Sequence, residues 1–504
     1  MSYIYRYQLR NKIERENCDL RNYKIQLDDM LNKCFYDLKG NKTYCVDKEY
    51  FEFRTYKKKT RMDLQNMGKI LKFIFKDKYE HGFIRSKIRY YAYISKEYNS
   101  NNIIAEIIEF NELNDALQKY YSEQMENSRE SIISELDLGA LFIDLDNDDY
   151  RNFCLPIDKL KRVDNEWCII EGINRINNNK NIILERDLIN YNSLTDQIEN
   201  LDGQNASSIE DEGFSITNTN ILSKEQTSRI NEFFEFKYET ARDLKTIQDD
   251  FKVIVGKSEK LIIKNVGQGL SCSICDKDDK ANIYFDIGRG ARNNKKTTPA
   301  NLTYNFDNNP IIILSHIDED HWASVREFQK ALDMKWIVPN QKPKVSLRKI
   351  YSILGIRNNL YAIDGMEYNI NDCGLVESFI LFNGTKNGKE EDTHPHNNGF
   401  SIFIELRNKI RILLPGDNRY EYISSIYKEN INILCATHHG GEYTSDKEVI
   451  LCPVNDNEKI IYSFGIGNSH SHPSKVEDYE KAKWIKKHET PSGEYIYDFS
   501  NVIV

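Results

Sequence analysis

Ile311-Ile312-Ile313-Leu314-Ser315-His316-Ile317-Asp318-Glu319-Asp320-His321 is the stretch on which the fold turns. An unbroken apolar run of this length fits a strand buried on both faces, and it stops abruptly at Ser315. Four potential ligands, His316, Asp318, Asp320 and His321, then fall within six residues. At a strand end such a run brings alternate side chains into one pocket at the rim of a sheet. Imidazole and carboxylate both suit zinc, and two groups of ligands at this spacing can serve two ions. An exposed charged turn has no need of histidine at both ends.

Three later segments repeat the pattern of an apolar strand delivering polar groups. Arg411-Ile412-Leu413-Leu414-Pro415-Gly416-Asp417 ends on a carboxylate, with a glycine that permits close backbone approach. Ile431-Asn432-Ile433-Leu434-Cys435-Ala436-Thr437 runs into His438-His439-Gly440-Gly441. The apolar stretch Lys459–Phe464 is followed by Gly465-Ile466-Gly467-Asn468-Ser469-His470-Ser471-His472-Pro473. Of ten histidines in the chain nine lie after residue 315, and most fall in these segments.

Around them, from about residue 258, short β-branched runs alternate with amphipathic ones, which predicts an α/β layered domain. Strands are expected at Lys260–Val266, Ile283–Asp286, Ile311–Leu314, Trp336–Val338, Ser401–Leu406, Arg411–Leu414, Ile431–Ala436 and Lys459–Phe464. Helices are expected at Ala323–Asp333, Tyr420–Lys428 and Lys475–Lys487. Cys272 and Cys275 form a CxxC inside an apparent strand with no second pair, a structural feature. The ten cysteines have no framework spacing and fit a reducing compartment.

Taken in order, Val266-Gly267-Gln268-Gly269, Phe285-Asp286-Ile287-Gly288, Ser315 through His321, Gly416-Asp417, His438-His439-Gly440 and His472-Pro473 resemble the metallo-β-lactamase superfamily. More narrowly they resemble the branch containing the soluble hydrolase domain of bacterial competence (DNA-uptake) proteins. The resemblance covers about residues 258–504 and implies an αββα sandwich. It implies that His316 and Asp318 ligate one metal and that Asp320 and His321 ligate the other. Asp417 becomes the bridging carboxylate, and one of His438 and His439 completes the second site. Asp318 stands where the superfamily usually has the second histidine of its His-x-His-x-Asp-His motif. Asp286 resembles the buried aspartate that orients the ligands. In Thr393-His394-Pro395-His396-Asn397-Asn398, His396 or Asn398 is expected to face the metal.

Two divalent cations are implied, Zn2+ first and Mn2+ as the alternative, because the carboxylate-rich set is harder than an all-histidine one. Such a pair activates water and spreads transition-state charge. Asp320 belongs to the catalytic machinery, and His472, or whichever of His438 and His439 is not a ligand, is the candidate proton donor to the leaving group. The expected substrate is a phosphodiester in nucleic acid, because the branch resembled is one of DNA uptake. Basic residues flank the catalytic segments at Lys342, Lys344 and Arg348 and at Lys483, Lys486 and Lys487, where a phosphate backbone can track. A small phosphoester or nucleotide second messenger is the alternative substrate, and a metal-binding scaffold without catalysis the alternative role.

The 504 residues exceed one core, and a companion region is expected. Residues 1–100 carry 23 Lys and Arg against 13 Asp and Glu; residues 101–250 carry 14 against 32. The reading is a basic, mainly helical region over 1–130, an acidic α+β region over 131–250, a linker over 192–222 and an amphipathic helix over 224–251. Clusters such as Tyr56–Arg61 and Arg85–Tyr91 read as solvated helical faces, with nucleic-acid contact the alternative. The acidic run within Leu138–Asp149 reads as a solvated turn rather than a cation loop. These regions are candidates for docking on each other or on a protein partner. No apolar stretch approaches the ~18 residues that span a bilayer, and the first residues do not read as a secretory signal. The expectation is a cytoplasmic enzyme, with phage defence the analogy a large companion region suggests.

Overall fold

The computed structural model describes residues 87–96, 103–123, 126–143, 166–175, 182–185, 212–238, 241–363, 367–384, 395–443, 451–455 and 458–501. The cluster Tyr56–Arg61, most of the acidic run and residues 192–211 lie outside them. Two compact units emerge: residues 1–124 with 135–233, and residues 125–134 with 234–504.

In the first unit the strands β1 (Lys87–Lys96), β2 (Ile103–Glu109), β3 (Gly139–Ile143), β4 (Glu166–Arg175), β5 (Ile182–Glu185) and β6 (Glu212–Ile221) close a barrel. Its order is β1-β2-β3-β5-β6-β4. Helix α1 (Phe110–Glu123) follows β2, and α3 (Lys224–Phe233) follows β6; Tyr120 and Phe233 meet edge to face at 5.5 Å. The expectation of a mainly helical start is corrected where the chain is described. Lys87–Lys96 and Ile103–Glu109 are an antiparallel strand pair, because Tyr, Ile and Ala at buried positions of β1 and β2 favour a pleated surface over a helix. The expected linker over 192–222 is corrected at its end. Its Thr- and Ile-bearing residues pair with β4 as β6, since a polar residue is no obstacle to a strand whose backbone bonds are satisfied. The expected helix over 224–251 divides into α3 and α4 (Ala241–Gly256).

The second unit is two seven-stranded sheets packed face to face. The first has the order β12-β11-β10-β9-β8-β7-β20 and the second β13-β14-β15-β16-β17-β18-β19. These strands are β7 (Lys260–Ile263), β8 (Cys272–Cys275), β9 (Ala281–Phe285), β10 (Ile311–Ile313), β11 (Trp336–Pro339), β12 (Leu360–Ile363), β13 (Tyr368–Cys373), β14 (Val376–Asn383), β15 (Phe400–Leu406), β16 (Arg411–Leu414), β17 (Ile433–Cys435), β18 (Lys459–Tyr462), β19 (Lys486–Glu489) and β20 (Tyr495–Asp498). Strand alternation divides their side chains between layers. Ile311, Ile313, Ile412, Leu414, Ile433 and Cys435 fill the space between the sheets with Ile247, Phe251 and Val255 of α4. Ile312 and Leu314 face outward under α5 (Val345–Ile356), and Leu413 and Leu434 face outward under Tyr479 of α6 (Val476–Lys481) and Trp484. Because both faces of each strand are covered, the sequence reads as continuous apolar runs.

Three expected helices are corrected. Ala323–Asp333 is two 3₁₀ turns, because Ser324 bonds back to the 287–288 backbone through both its N–H and its hydroxyl. Tyr420–Lys428 is two more such turns, anchored by Tyr420 to Tyr479 at 2.8 Å between hydroxyls. Lys475–Lys487 breaks after α6 at Lys483, whose φ is 74°, and resumes as edge strand β19. Cys272 and Cys275 are buried free thiols of β8, as a structural reading requires. No helix among the described residues is long and apolar enough to cross a membrane. Helix α2 (Glu126–Glu135), mostly in this unit, is held by Lys349 of α5, which donates to the Ser134 carbonyl at 2.9 Å.

Candidate metal centre

The site gathers at the carboxyl ends of two sets of parallel strands, β9-β10-β11 and β16-β17-β18. After β10 the chain turns sharply, and Asp286, just past β9, fixes the turn. Ser315 donates its N–H to Asp286 Oδ1 at 2.6 Å and its hydroxyl to Oδ2 at 2.7 Å. His321 Nδ1 lies 2.7 Å from Oδ2, and both residues are fully buried. This network leaves the His321 Nε2 lone pair aimed away from Asp286. His316 Nδ1 contacts the Ser315 hydroxyl at 3.0 Å, which frees its Nε2 in the same way. The loop lies against glycine backbone; a Cβ at Gly288 would come 2.0 Å from the Asp320 carbonyl.

From the other sheet, β16 delivers Asp417, and the left-handed Gly416 just before it packs on Ser315. After β17 both His438 and His439 adopt positive φ, 52° and 56°, a rare conformation for non-glycine residues. His439 Nδ1 donates to the Ser463 carbonyl at 2.9 Å and His472 Nδ1 to the His438 carbonyl at 2.9 Å.

The result is two groups joined by one carboxylate. Asp417 Oδ1 is 3.4 Å from His321 Nε2 and 3.9 Å from His439 Nε2, while Oδ2 is 3.7 Å from His316 Nε2 and 3.9 Å from His438 Nε2. His439 Nε2 is also 3.1 Å from Asp320 Oδ2, and His316 Nε2 is 3.5 Å from Asp318 Oδ2. His396 Nε2 lies 2.8 Å from Asp318 Oδ2. Ligand atoms ~2.0–2.1 Å from a tetrahedral zinc sit about 3.4 Å from each other, which is the spacing of most of these contacts. The Nε2 atoms of His316, His321 and His439 and Oδ1 of Asp417 are buried without a hydrogen bond. Orphaned buried donors and acceptors are costly and rare, and here four converge. The residues therefore fit divalent cations.

Electrostatics point the same way. Burial opposes charge on His321, yet Asp417, Asp286 and Asp320 push it well above the ordinary imidazole value. Asp417 and Asp320 raise His439, and Asp318 raises His396, again against burial. The carboxylates Asp318, Asp320 and Asp417 are held well below their usual range by these histidines despite burial. The pocket thus favours positive charge, the condition that cations satisfy. Burial lowers His438 to about 3, and burial with nearby His439 and His470 lowers His472 to about 4.

The structure brings together His316, Asp318, Asp320, His321, Asp417, His438 and His439 as the sequence suggested, with Asp286 behind them. It separates the paired histidines: His439 falls in the Asp320–His321 group, and His438 in the His396–Asp417 group. Of the two residues expected to face the metal, His396 lies in the groups with His316 and Asp318 and with Asp417 and His438. Asn398 Oδ1 accepts from Gln341 Nε2. Gln341 carried no sequence signal, yet it also takes the Ile317 N–H at 3.1 Å and donates to the Pro395 carbonyl at 2.8 Å. Exposed Lys342, with Lys344 and Arg348 at the start of α5, stays at this end of the first sheet. Lys486 and Lys487 lie on edge strand β19, and Lys483 just before it. Lys486 pairs with Lys459 at the start of β18, the opposite end from the Tyr462–Ser463 junction that reaches the site.

Such a site at the rim of a two-sheet sandwich defines a candidate metal-binding αββα protein. Residues 310–463 match the family model described as the Metallo-beta-lactamase superfamily. Among solved structures it is similar to Zn(2+)-bound PqqB from Methylobacterium extorquens, 10% identical, over 47% of this chain and 99% of that one, with a TM-score of 0.27. An archaeal metallo-beta-lactamase superfamily protein from Sulfolobus tokodaii is 13% identical over 38% of this chain and 67% of that one, with a TM-score of 0.19. No curated protein matches the chain.

Proposed function

We propose that the second unit is a metal-dependent hydrolase that holds two divalent cations and cleaves phosphodiesters, with nucleic acid as the substrate. One observation carries the reading: the two oxygens of Asp417 each face a separate pair of histidines. His316, Asp318, His396 and His438 would hold one cation and Asp320, His321 and His439 the other, with Asp417 between them. When bound, such a pair supplies an activated water and neutralises charge on the phosphoryl oxygens. The three carboxylates make a hard donor set suited to Zn2+ or Mn2+, and phosphoryl oxygen is a hard ligand.

The remaining work belongs to the chain. Asp286 and Ser463 hold His321 and His439 in the tautomer whose Nε2 would be free to ligate the cations. His472 gives its Nδ1–H to the His438 carbonyl, so its Nε2 is left to accept. With its pKa pushed to about 4 it is neutral near pH 7. It takes a proton from the attacking water first and returns it to the leaving oxygen afterwards, rather than starting as the acid.

The test is metal content by plasma mass spectrometry on wild type and Asp417→Ala, paired with cleavage of labelled single- and double-stranded DNA and RNA. Two metals per chain in the wild type, fewer in the variant, and cleavage lost with them are the expected results. Two metals with no cleavage of any polymer would move the substrate to a small phosphoester, and a metal-free inert protein would leave only a scaffold.

A further inference from the structure

One segment beside the site is fixed more firmly than an ordinary surface loop. The short 3₁₀ segment Arg292–Thr297 is tied at its start to Glu319, between Asp318 and Asp320, through Arg292 Nε at 2.7 Å. Its buried Asn294 takes the Ser469 N–H on Oδ1 at 2.7 Å, and Thr297 takes the Gln268 N–H on its hydroxyl at 2.8 Å. Glycine backbone closes around Thr297; a Cβ at Gly267 or Gly465 would come within 2.5 Å of it. The segment is thus wedged between the loop that bears Asp320 and the loop that bears His472.

Lys295 and Lys296 project as exposed side chains. On the loop that meets Asn294 and Thr297, between Gly465 and Gly467, Ile466 is 76% exposed, the most exposed large hydrophobic among the described residues, and His470 of the same loop is also exposed. An isoleucine held out on a loop tip contributes nothing to the core. Cations and an apolar side chain on a rigid rim match a nucleic-acid strand, which offers phosphates and base faces together.

We propose that this rim is a strand-binding subsite, with Lys295 and Lys296 on a phosphate beside the scissile one and Ile466 packed on an unpaired base. The inference rests on the phosphodiesterase reading and narrows its substrate to single-stranded nucleic acid.

Binding is measured by fluorescence anisotropy of a labelled 12-nucleotide single strand and a blunt duplex. The full chain carrying Asp320→Ala serves as the non-cleaving background. Adding Lys295→Glu with Lys296→Glu should weaken single-strand binding at least ~10-fold at low salt and flatten the plot of log K against log salt by one to two contacts. Ile466→Ser should weaken it ~3–10-fold and leave that slope unchanged. In otherwise wild-type protein, the double variant should lower the kcat/KM ratio for the strand over bis(p-nitrophenyl) phosphate about tenfold. Lys295→Ala with Lys296→Ala, and thermal melting of each variant, separate lost contacts from a lost fold. Equal affinity and slope in folded lysine variants would overturn the subsite, as would tighter binding of the duplex than of the strand. An unchanged kcat/KM ratio would do the same. Failure of the hydrolase reading shows separately, as wild type that turns over neither substrate.

Discussion

Asp286 holds His321 from behind: its Oδ2 lies 2.7 Å from His321 Nδ1, and neither side chain is reached by solvent. The carboxylate selects the tautomer with the proton on Nδ1 and also accepts the Ser315 N–H and hydroxyl. Asp286 sits at φ 64°, a conformation asparagine tolerates. Asp286→Asn therefore keeps the backbone and size while removing the charge. Metal affinity of the Asp320–His321–His439 group should fall 10–100-fold, the usual effect of losing such a partner. Calorimetric titration with Zn2+ reads it, and an unchanged affinity there would refute the orienting role.

Gln341 performs the equivalent task on the other side. One amide joins the Ile317 N–H, between His316 and Asp318, to the Pro395 carbonyl next to His396. Gln341→Leu is close in volume and removes every one of these bonds. The expected result is about tenfold weaker binding in the His316–Asp318–His396 group, with the other group's affinity retained. Two-step calorimetric titration separates the groups, and equal weakening of both would make Gln341 a general support instead.

The strands that deliver the ligands were legible because burial on both faces writes an apolar run and the metal chemistry writes His and Asp at its end. Ile311–Leu314 and Arg411–Leu414 show this most plainly. Elements whose faces differ were harder. Helix α5 hid behind its basic residues Arg348 and Lys349, and Lys349 is itself buried against α2. Strand β19 reads as a cationic helix end because edge strands favour exposed lysines, which deter pairing with another chain. Gln341 and Ser463 were invisible for another reason. Each acts through a backbone carbonyl or an amide reached across the fold, and no local spacing encodes such a contact.

Glu319 gives the pH prediction. Burial alone would raise its carboxyl, but Arg326 and Arg292 hold it down at about 2 against an unfolded value of 4.5. A depressed carboxylate contributes stability that is present above the unfolded pKa and is lost as pH falls through the folded one. The window therefore runs from about 4.5 down to about 2. At 1.36 kcal/mol per unit the ceiling is on the order of 3 kcal/mol. Glu319→Gln should be destabilised relative to wild type at pH 6, and the gap should close as pH falls through this window. Denaturant melts at a series of pH values measure it; a gap independent of pH would show that packing, not charge, holds Glu319.

Gly441 tests the assignment to His472. A Cβ there would stand 2.0 Å from His472 Cε1 and 2.5 Å from its Nδ1. The φ of Gly441 is −85°, so the conflict is with the ring, and with the His438 carbonyl at 2.8 Å, and not with the left-handed region. Gly441→Ala should displace the imidazole and break its bond to the His438 carbonyl while the cations stay in place. Loss of a positioned acid–base group costs ~100-fold or more in turnover, and Gly441→Ala should approach the deficit of His472→Ala. Metal content and kcat are read together on both variants. Retained metal with low kcat in each fits proton transfer by His472. Metal lost from Gly441→Ala would mean that the ring buttresses His438 instead, and wild-type turnover in His472→Ala would remove this histidine from the chemistry.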